Sequence, residues 1–221
     1  ADTSQISEIV KYCAAHHVKI IPQGANTGLV GASVPDQSGA QVVLTLERLN
    51  KHIDIDPVNK TAIVDAGVLL STLNTKLEDH GLYFPIDLGA DPSIGGMVAT
   101  NTGGSRLVRY GDVRHNTLGL EVVDGRGQVV DLLKNLRKDN TGLDLKQVFI
   151  GTGGSFGIVT RAVVSLAPLP KQRASVLVVP RSENDINTIL LETEGTFGSL
   201  LSAFEGMSRN AMQCAIKNVA N

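Results

Sequence analysis

Ile21-Pro22-Gln23-Gly24-Ala25-Asn26-Thr27-Gly28-Leu29-Val30-Gly31 follows a short apolar run, Val18 to Ile21, that reads as a strand. Proline and glycine punctuate the segment, so it neither continues the strand nor starts a regular helix. It is a loop at the end of a strand. A diphosphate is most easily bound by a curved backbone whose N–H groups all point inward, which requires that bulky side chains be absent. Gly24 to Gly28 suits that task, and Asn26 and Thr27 add hydrogen-bonding groups without adding charge. An ordinary strand-to-loop connection is the plainer reading of the same residues.

Outward from this loop, helix and strand patterns alternate along the chain. Thr3 or Ser4 is placed to cap a helix with Ile6, Ile9, Val10 and Cys13 on one face, ending near His16. Strands follow at 41–46, 52–55 and 61–66, the last two forming a hairpin around Asp56-Pro57-Val58-Asn59. A helix over 69–80 buries Leu70, Leu73 and Leu77 and stops at Gly81. From Ile86 to Tyr110 the sequence is apolar, small and glycine-rich, with room for only a short helix around 97–100. A second hairpin (118–123 and 128–132), a short helix (143–149) and a strand (157–166) complete this part. After Pro168 and Pro170 the pattern becomes strand (175–179), helix (182–192), strand (200–204) and the start of another helix at Asn210, which places a domain boundary at Pro168 to Gln172.

Composition narrows the function. A chain of 221 residues, 42% hydrophobic and 19% charged, has the balance of a folded globular protein. Twenty basic and 22 acidic residues give a net charge of −2 without a basic run, so there is no electrostatic footprint for nucleic acid. Cys13 and Cys214 form no metal-type spacing and no disulfide framework, and no metal-ligating set is expected. No apolar run approaches the roughly 20 residues that span a bilayer, and no signal-like N-terminus is present. The expectation is a cytoplasmic protein, with peripheral membrane association left open. The start without methionine and the end in mid-pattern read as an excised piece. The glycines, 23 in all, cluster at 24–39, 89–111 and 151–157, which fits either one extended ligand touched repeatedly or simply a loop-rich architecture. A GxxxxGK[ST] phosphate loop is absent, and the GxGxxG fingerprint fails because Phe156 takes the third glycine position after Gly151 and Gly153.

Six motifs in order then carry a resemblance over almost the whole chain: Ile21 to Gly31, Pro85 to Met97, Asn101 to Gly104, Tyr110 to Arg114, Leu136 to Gly142, and Gly151 to Thr160. Together they resemble the FAD-linked oxidases of the vanillyl-alcohol-oxidase (PCMH-type) family, nearest to its D-2-hydroxyacid dehydrogenases, the group of D-lactate and D-2-hydroxyglutarate dehydrogenases and the glycolate oxidase flavin subunit. The resemblance implies an α+β architecture, with FAD held between two small α/β subdomains over 1–170. It implies that 171–221 begins a ferredoxin-like substrate domain.

By the same resemblance, Pro22, Gly24, Ala25, Asn26, Thr27, Gly28 and Leu29 form the diphosphate cradle. Pro85, Gly89, Ala90, Ser93, Ile94, Gly95 and Gly96 run beside the diphosphate and isoalloxazine. Asn101, Gly103, Gly104, Tyr110 and Gly111 continue along the flavin, and Gly157 and Ile158 meet the adenosine end. Asn26 and Thr27 stand where covalent members carry histidine, which implies non-covalent FAD. Gly151-Thr152-Gly153-Gly154-Ser155 lacks the carboxylate of the Gly-Ser-Glu-Gly-Thr motif found in many relatives. The implied reaction oxidises a 2-hydroxy acid to a 2-oxo acid and passes electrons to an unidentified acceptor. No catalytic residue is named, because the family's substrate site lies mainly in the later domain. A flavin-binding subunit completed by another chain, and UDP-N-acetylenolpyruvoylglucosamine reductase on the same fold, are the alternatives. The second is disfavoured by the Ile86 to Gly96 and Arg137 to Gly142 motifs. A homodimer is compatible with all three.

Overall fold

A computed structural model describes residues 1–218. Helix α1 (Thr3–Ala15) buries Ile6, Val10 and Cys13 together with Ser7, while Ile9 stays exposed. Its cap is Asp2 and not Thr3 or Ser4: the carboxylate accepts from Gln5 N at 2.9 Å and from Ser4 Oγ at 2.7 Å. A charged acceptor is favoured over a hydroxyl at the positive end of the helix dipole. The chain then enters β1 (Lys19–Gln23), which pairs in parallel with β2 (Gln41–Thr45). The strand runs two residues beyond its expected end. Pro22 is tolerated because, among the described residues, β1 has β2 as its only partner, so a missing N–H on the open edge breaks no ladder.

Strands β3 (Ile53–Asp56) and β4 (Thr61–Asp65) form the expected hairpin, with Asp56 accepting from Val58 N and Asn59 N across the turn. Helix α2 (Leu70–Glu78) buries Leu70, Leu73 and Leu77, and the chain reverses at Gly81, where φ is +62°. Then come β5 (Leu82–Tyr83), three short helices, α3 (Ile94–Thr100), α4 (Leu107–Tyr110) and α5 (Val113–Asn116), and the hairpin β6 (Thr117–Asp124) with β7 (Val129–Leu132). A 3-10 turn at Leu145–Val148 precedes β8 (Gly157–Ser165) and β9 (Ala167–Pro168).

Five strands make one antiparallel sheet in the order β3-β4-β8-β6-β7, and β5 pairs with β9. Strand β8 lies between β4 and β6 and is buried along almost its whole length; its apolar residues Ile158, Val159, Ala162, Val163 and Val164 flank a polar pair, Thr160 and Arg161, whose side chains are both hydrogen-bonded. Leu73, Leu77, Phe84, Met97, Val98, Leu120, Val122 and Val164 share the core, where α3 packs on β8.

Beyond β9 the chain forms α6 (Asp185–Phe197) and α7 (Arg209–Asn218). The strands expected at 175–179 and 200–204 do not form, and Val176, Leu177 and Val179 are more than four-fifths exposed. An apolar run without alternation suits a strand buried inside a sheet. Among the described residues no strand pairs with it.

Candidate FAD site

The end of β1 is pressed against the start of α3. A Cβ at Gly24 would come within 2.3 Å of Ser93 Oγ, which itself caps α3 by accepting from Gly96 N at 3.3 Å. The absence of a side chain at Gly24 therefore lets strand, loop and helix meet. Asn26 adopts a left-handed φ of +55° and accepts from Ser33 Oγ at 2.8 Å, while Gln23 Nε2 donates to Ser33 O at 2.8 Å. These two bonds fold the loop back toward β1. Among the described residues, no backbone N–H from Gly24 to Gly28 donates to a protein acceptor. Those donors are left for a ligand or for water.

The loop, the start of α3 and the last glycine cluster enclose a groove of about 460 Å³. Of the sequence-predicted residues, Pro22, Gly24, Ala25, Asn26, Thr27, Gly28, Leu29, Gly89, Ala90, Ser93, Gly95, Gly96, Gly157 and Ile158 line it. Pro85, Ile94, Asn101, Gly103, Gly104, Tyr110 and Gly111 stand outside the lining, and most have a supporting task there. Asn101 ends α3 with φ +50°, donates to Asp112 Oδ2 and accepts from Arg114 N, both at 2.9 Å. At Gly104 a Cβ would meet Asp87 O at 2.7 Å. Ile94 is buried in the core, and Tyr110 packs edge-on against Tyr83.

The lining also includes Ser33, Met97, Thr100, Thr102, Gly153, Gly154 and Val159, which sequence reading had not assigned. Thr-Gly-Gly-Ser, which occurs at Thr102 to Ser105 and again at Thr152 to Ser155, was the available signal for three of them. Gly151 N and Gly153 N donate to Val98 O and Ala99 O at 3.1 and 2.7 Å, so the second copy satisfies the open C-terminal carbonyls of α3 while it walls the groove. Arg114 holds that copy in place, donating to Gln147 Oε1 at 2.7 Å and Ile150 O at 2.6 Å.

No Asp, Glu, Lys, Arg, His, Cys or Tyr lines the groove. A diphosphate here meets no repelling carboxylate and is offered unpaired backbone donors, and the apolar lining suits flat rings. The residues present fit a dinucleotide held by dipoles and packing. The family comparison gives the same answer: residues 1–133 match the FAD binding domain model. The chain belongs to this family. FAD is the cofactor for which this fold is built, and the PCMH-type fold expected from the sequence is borne out. Solved structures with similar folds include alkyldihydroxyacetonephosphate synthase (TM-score 0.69, 25% identity, 77% of this chain and 31% of that one). The grass pollen allergen Phl p 4, which has glucose dehydrogenase activity, is similar as well (TM-score 0.66, 28% identity, 76% and 34%).

Among curated relatives, the probable mitochondrial D-2-hydroxyglutarate dehydrogenase of rice (Oryza sativa) is 43% identical over 97% of this chain and 38% of its own length. The mitochondrial D-2-hydroxyglutarate dehydrogenase of Arabidopsis thaliana is 40% identical over 99% and 39%, and the D-2-hydroxyglutarate–pyruvate transhydrogenase of Saccharomyces cerevisiae 41% over 97% and 43%. The chain thus spans about two fifths of the length of these relatives. The cytoplasmic expectation is overturned by the rice and Arabidopsis relatives, which are mitochondrial by name. Composition and the lack of a signal-like start carried that expectation, and neither reports on a compartment when the chain matches only part of its relatives.

Proposed function

We propose that this chain is the flavin-binding part of an FAD-dependent dehydrogenase that oxidises a D-2-hydroxy acid, of the D-2-hydroxyglutarate class, to the 2-oxo acid. The uncharged groove with free N–H donors supports the cofactor half of this reading, and the identity to D-2-hydroxyglutarate enzymes over nearly the whole chain supports the substrate half. FAD is held non-covalently, since the lining offers no His, Cys or Tyr to attach it. Gly24 to Gly28 receive the diphosphate. Gly89, Ala90 and Ser93 to Gly96 run along it toward the ring system, and Gly157 and Ile158 meet the adenosine end. Pro85, Asn101, Gly103, Gly104, Tyr110 and Gly111 shape the wall behind them. When bound, FAD supplies the acceptor for the hydride leaving the α-carbon, while a base takes the hydroxyl proton.

The cofactor domain covers 1–170, and 171–221 opens the substrate domain. A second reading, a flavin-binding subunit completed by another chain, draws on the exposed apolar run at Val176 to Val179. Titration of the purified chain with FAD, followed by flavin fluorescence, tests the cofactor assignment. Saturable binding that Gly24→Val abolishes and Asn26→Ala weakens is expected. A folded chain that binds FAD equally well with Val at 24 sinks it.

A further inference from the structure

Arg114 lies outside the groove lining, half-buried at the start of α5. Its backbone N–H donates to Asn101 Oδ1 at 2.9 Å, which anchors it to the C-terminal end of α3. Its guanidinium reaches the other way: Nη1 donates to Gln147 Oε1 at 2.7 Å and to Gln147 O at 3.3 Å, and Nη2 donates to Ile150 O at 2.6 Å. Among the described residues, no carboxylate lies within salt-bridge distance of it. The cation is given to neutral acceptors on one segment, the one that leads into Gly151-Thr152-Gly153-Gly154. That segment needs holding. Gly151, Gly153 and Gly154 have φ of +79°, +62° and +84°, and glycine has more backbone freedom to lose than any other residue. Two N–H bonds tie the turn to Val98 O and Ala99 O of α3. A Cβ at Gly154 would meet Pro22 Cγ at 3.2 Å and one at Gly151 would meet Arg114 Nη2 at 3.0 Å, so the turn is wedged between β1 and the guanidinium.

We infer that Arg114 is a positioning residue for FAD: acting from outside the groove, it fixes the Gly151 to Gly154 turn as the wall against which the adenosine half of the cofactor packs. Gly153 and Gly154 line the groove, and the turn runs directly into Gly157 and Ile158 at the start of β8. No charged side chain stands in that lining, so what the turn offers a ligand is shape. Shape made of glycine backbone selects a ligand only while something else holds it, because every freedom left in the free protein must be surrendered on binding. A planar guanidinium presents several donors in fixed directions and holds the Gln147 and Ile150 acceptors at once, which the single ammonium of a lysine on its flexible stem does not.

This role rests on the adenosine placement proposed above, and a choice of ligands keeps the two failures apart. Dissociation constants for FAD and FMN are measured by flavin fluorescence and for ADP by calorimetry, on the natural chain, Arg114→Gln, Arg114→Lys and Gln147→Glu, with the urea midpoint of each. Freeing the backbone of about one residue in the turn costs about tenfold in affinity. Arg114→Gln should therefore weaken FAD and ADP about tenfold each, and FMN, which has no adenosine, by no more than about twofold. Arg114→Lys should not restore FAD binding, whereas Gln147→Glu, which keeps an acceptor for the guanidinium, should leave every constant within about twofold of the natural chain. FAD and ADP affinities indifferent to Arg114→Gln, or FAD and FMN weakened equally, overturn the positioning role and leave the cofactor assignment standing. Should Arg114→Gln fail to fold, Gln147→Leu, which removes one acceptor and leaves the arginine, carries the same expectation at about threefold and the same refutation. A folded natural chain that binds neither FAD nor ADP strikes the cofactor assignment itself.

Discussion

Single residues around the groove divide into those placed to meet a ligand and those that hold the wall, and the wall residues make the sharper stability predictions. Gly104 has φ +77°, and a Cβ there would meet the backbone oxygen of Asp87 at 2.7 Å. Backbone cannot swing aside as a flexible side chain can. Gly104→Ala should therefore cost about 2–4 kcal/mol from left-handed strain plus overpacking, measured as a fall in the urea midpoint at unchanged slope. Asp112 caps α5, accepting from His115 N and from Asn101 Nδ2, each at 2.9 Å. Burial pushes its carboxyl upward, but the His115 N–H, the Asn101 amide and the Arg114 charge together hold it below the ordinary 3.8. A depressed folded value means the ionised form stabilises. That contribution is complete above pH 3.8 and is lost as pH falls through the folded value. Urea midpoints taken from about pH 6 to about pH 3 should fall more steeply for the natural chain than for Asp112→Asn; parallel curves would show that the cap carries no linked proton.

At the scale of elements, a buried carboxylate ties the sheet together. Asp65, 1% exposed, ends β4, receives Lys51 N and His52 N at 2.9 Å each, and pairs with Arg161 of β8 at 3.1 Å. Asp65→Ala strands two backbone donors and one guanidinium, so thermal unfolding should report a loss of about 3–5 kcal/mol; a loss near 1 kcal/mol would mean that water replaces the carboxylate. The elements around Asp65 were legible beforehand, because alternation and turn residues at Asp56 to Asn59 and Asp124 to Gly127 are local signals. The strand readings at 175–179 and 200–204 failed for a nonlocal reason. Their apolar pattern describes what they would bury against, and that surface is absent among the described residues. The cap of α1 was misread by one or two positions because Asp2, Thr3 and Ser4 are all competent, and only the folded turn shows which oxygen reaches Gln5 N.

For the whole molecule, glycine spacing brought three distant segments to one groove, whereas the division of labour within it was hidden. Position in a motif does not reveal whether Asn101 faces a ligand or the Asp112 and Arg114 backbone behind it, nor that three arginines would converge on Tyr83 and Tyr110. The groove lining carries no charged side chain, and this sets the last prediction. Backbone dipoles act at contact distance, inside the roughly 10 Å screening length of about 0.1 M salt, and the groove carries no cation for salt to compete with. The chain's net charge of −2 adds only a weak long-range repulsion toward a diphosphate, which salt reduces. FAD affinity should therefore change less than about threefold between about 50 and 500 mM salt. Steep weakening of FAD binding would mean that a lysine or arginine outside the groove reaches the phosphates, and would move the diphosphate away from Gly24 to Gly28 toward that cation.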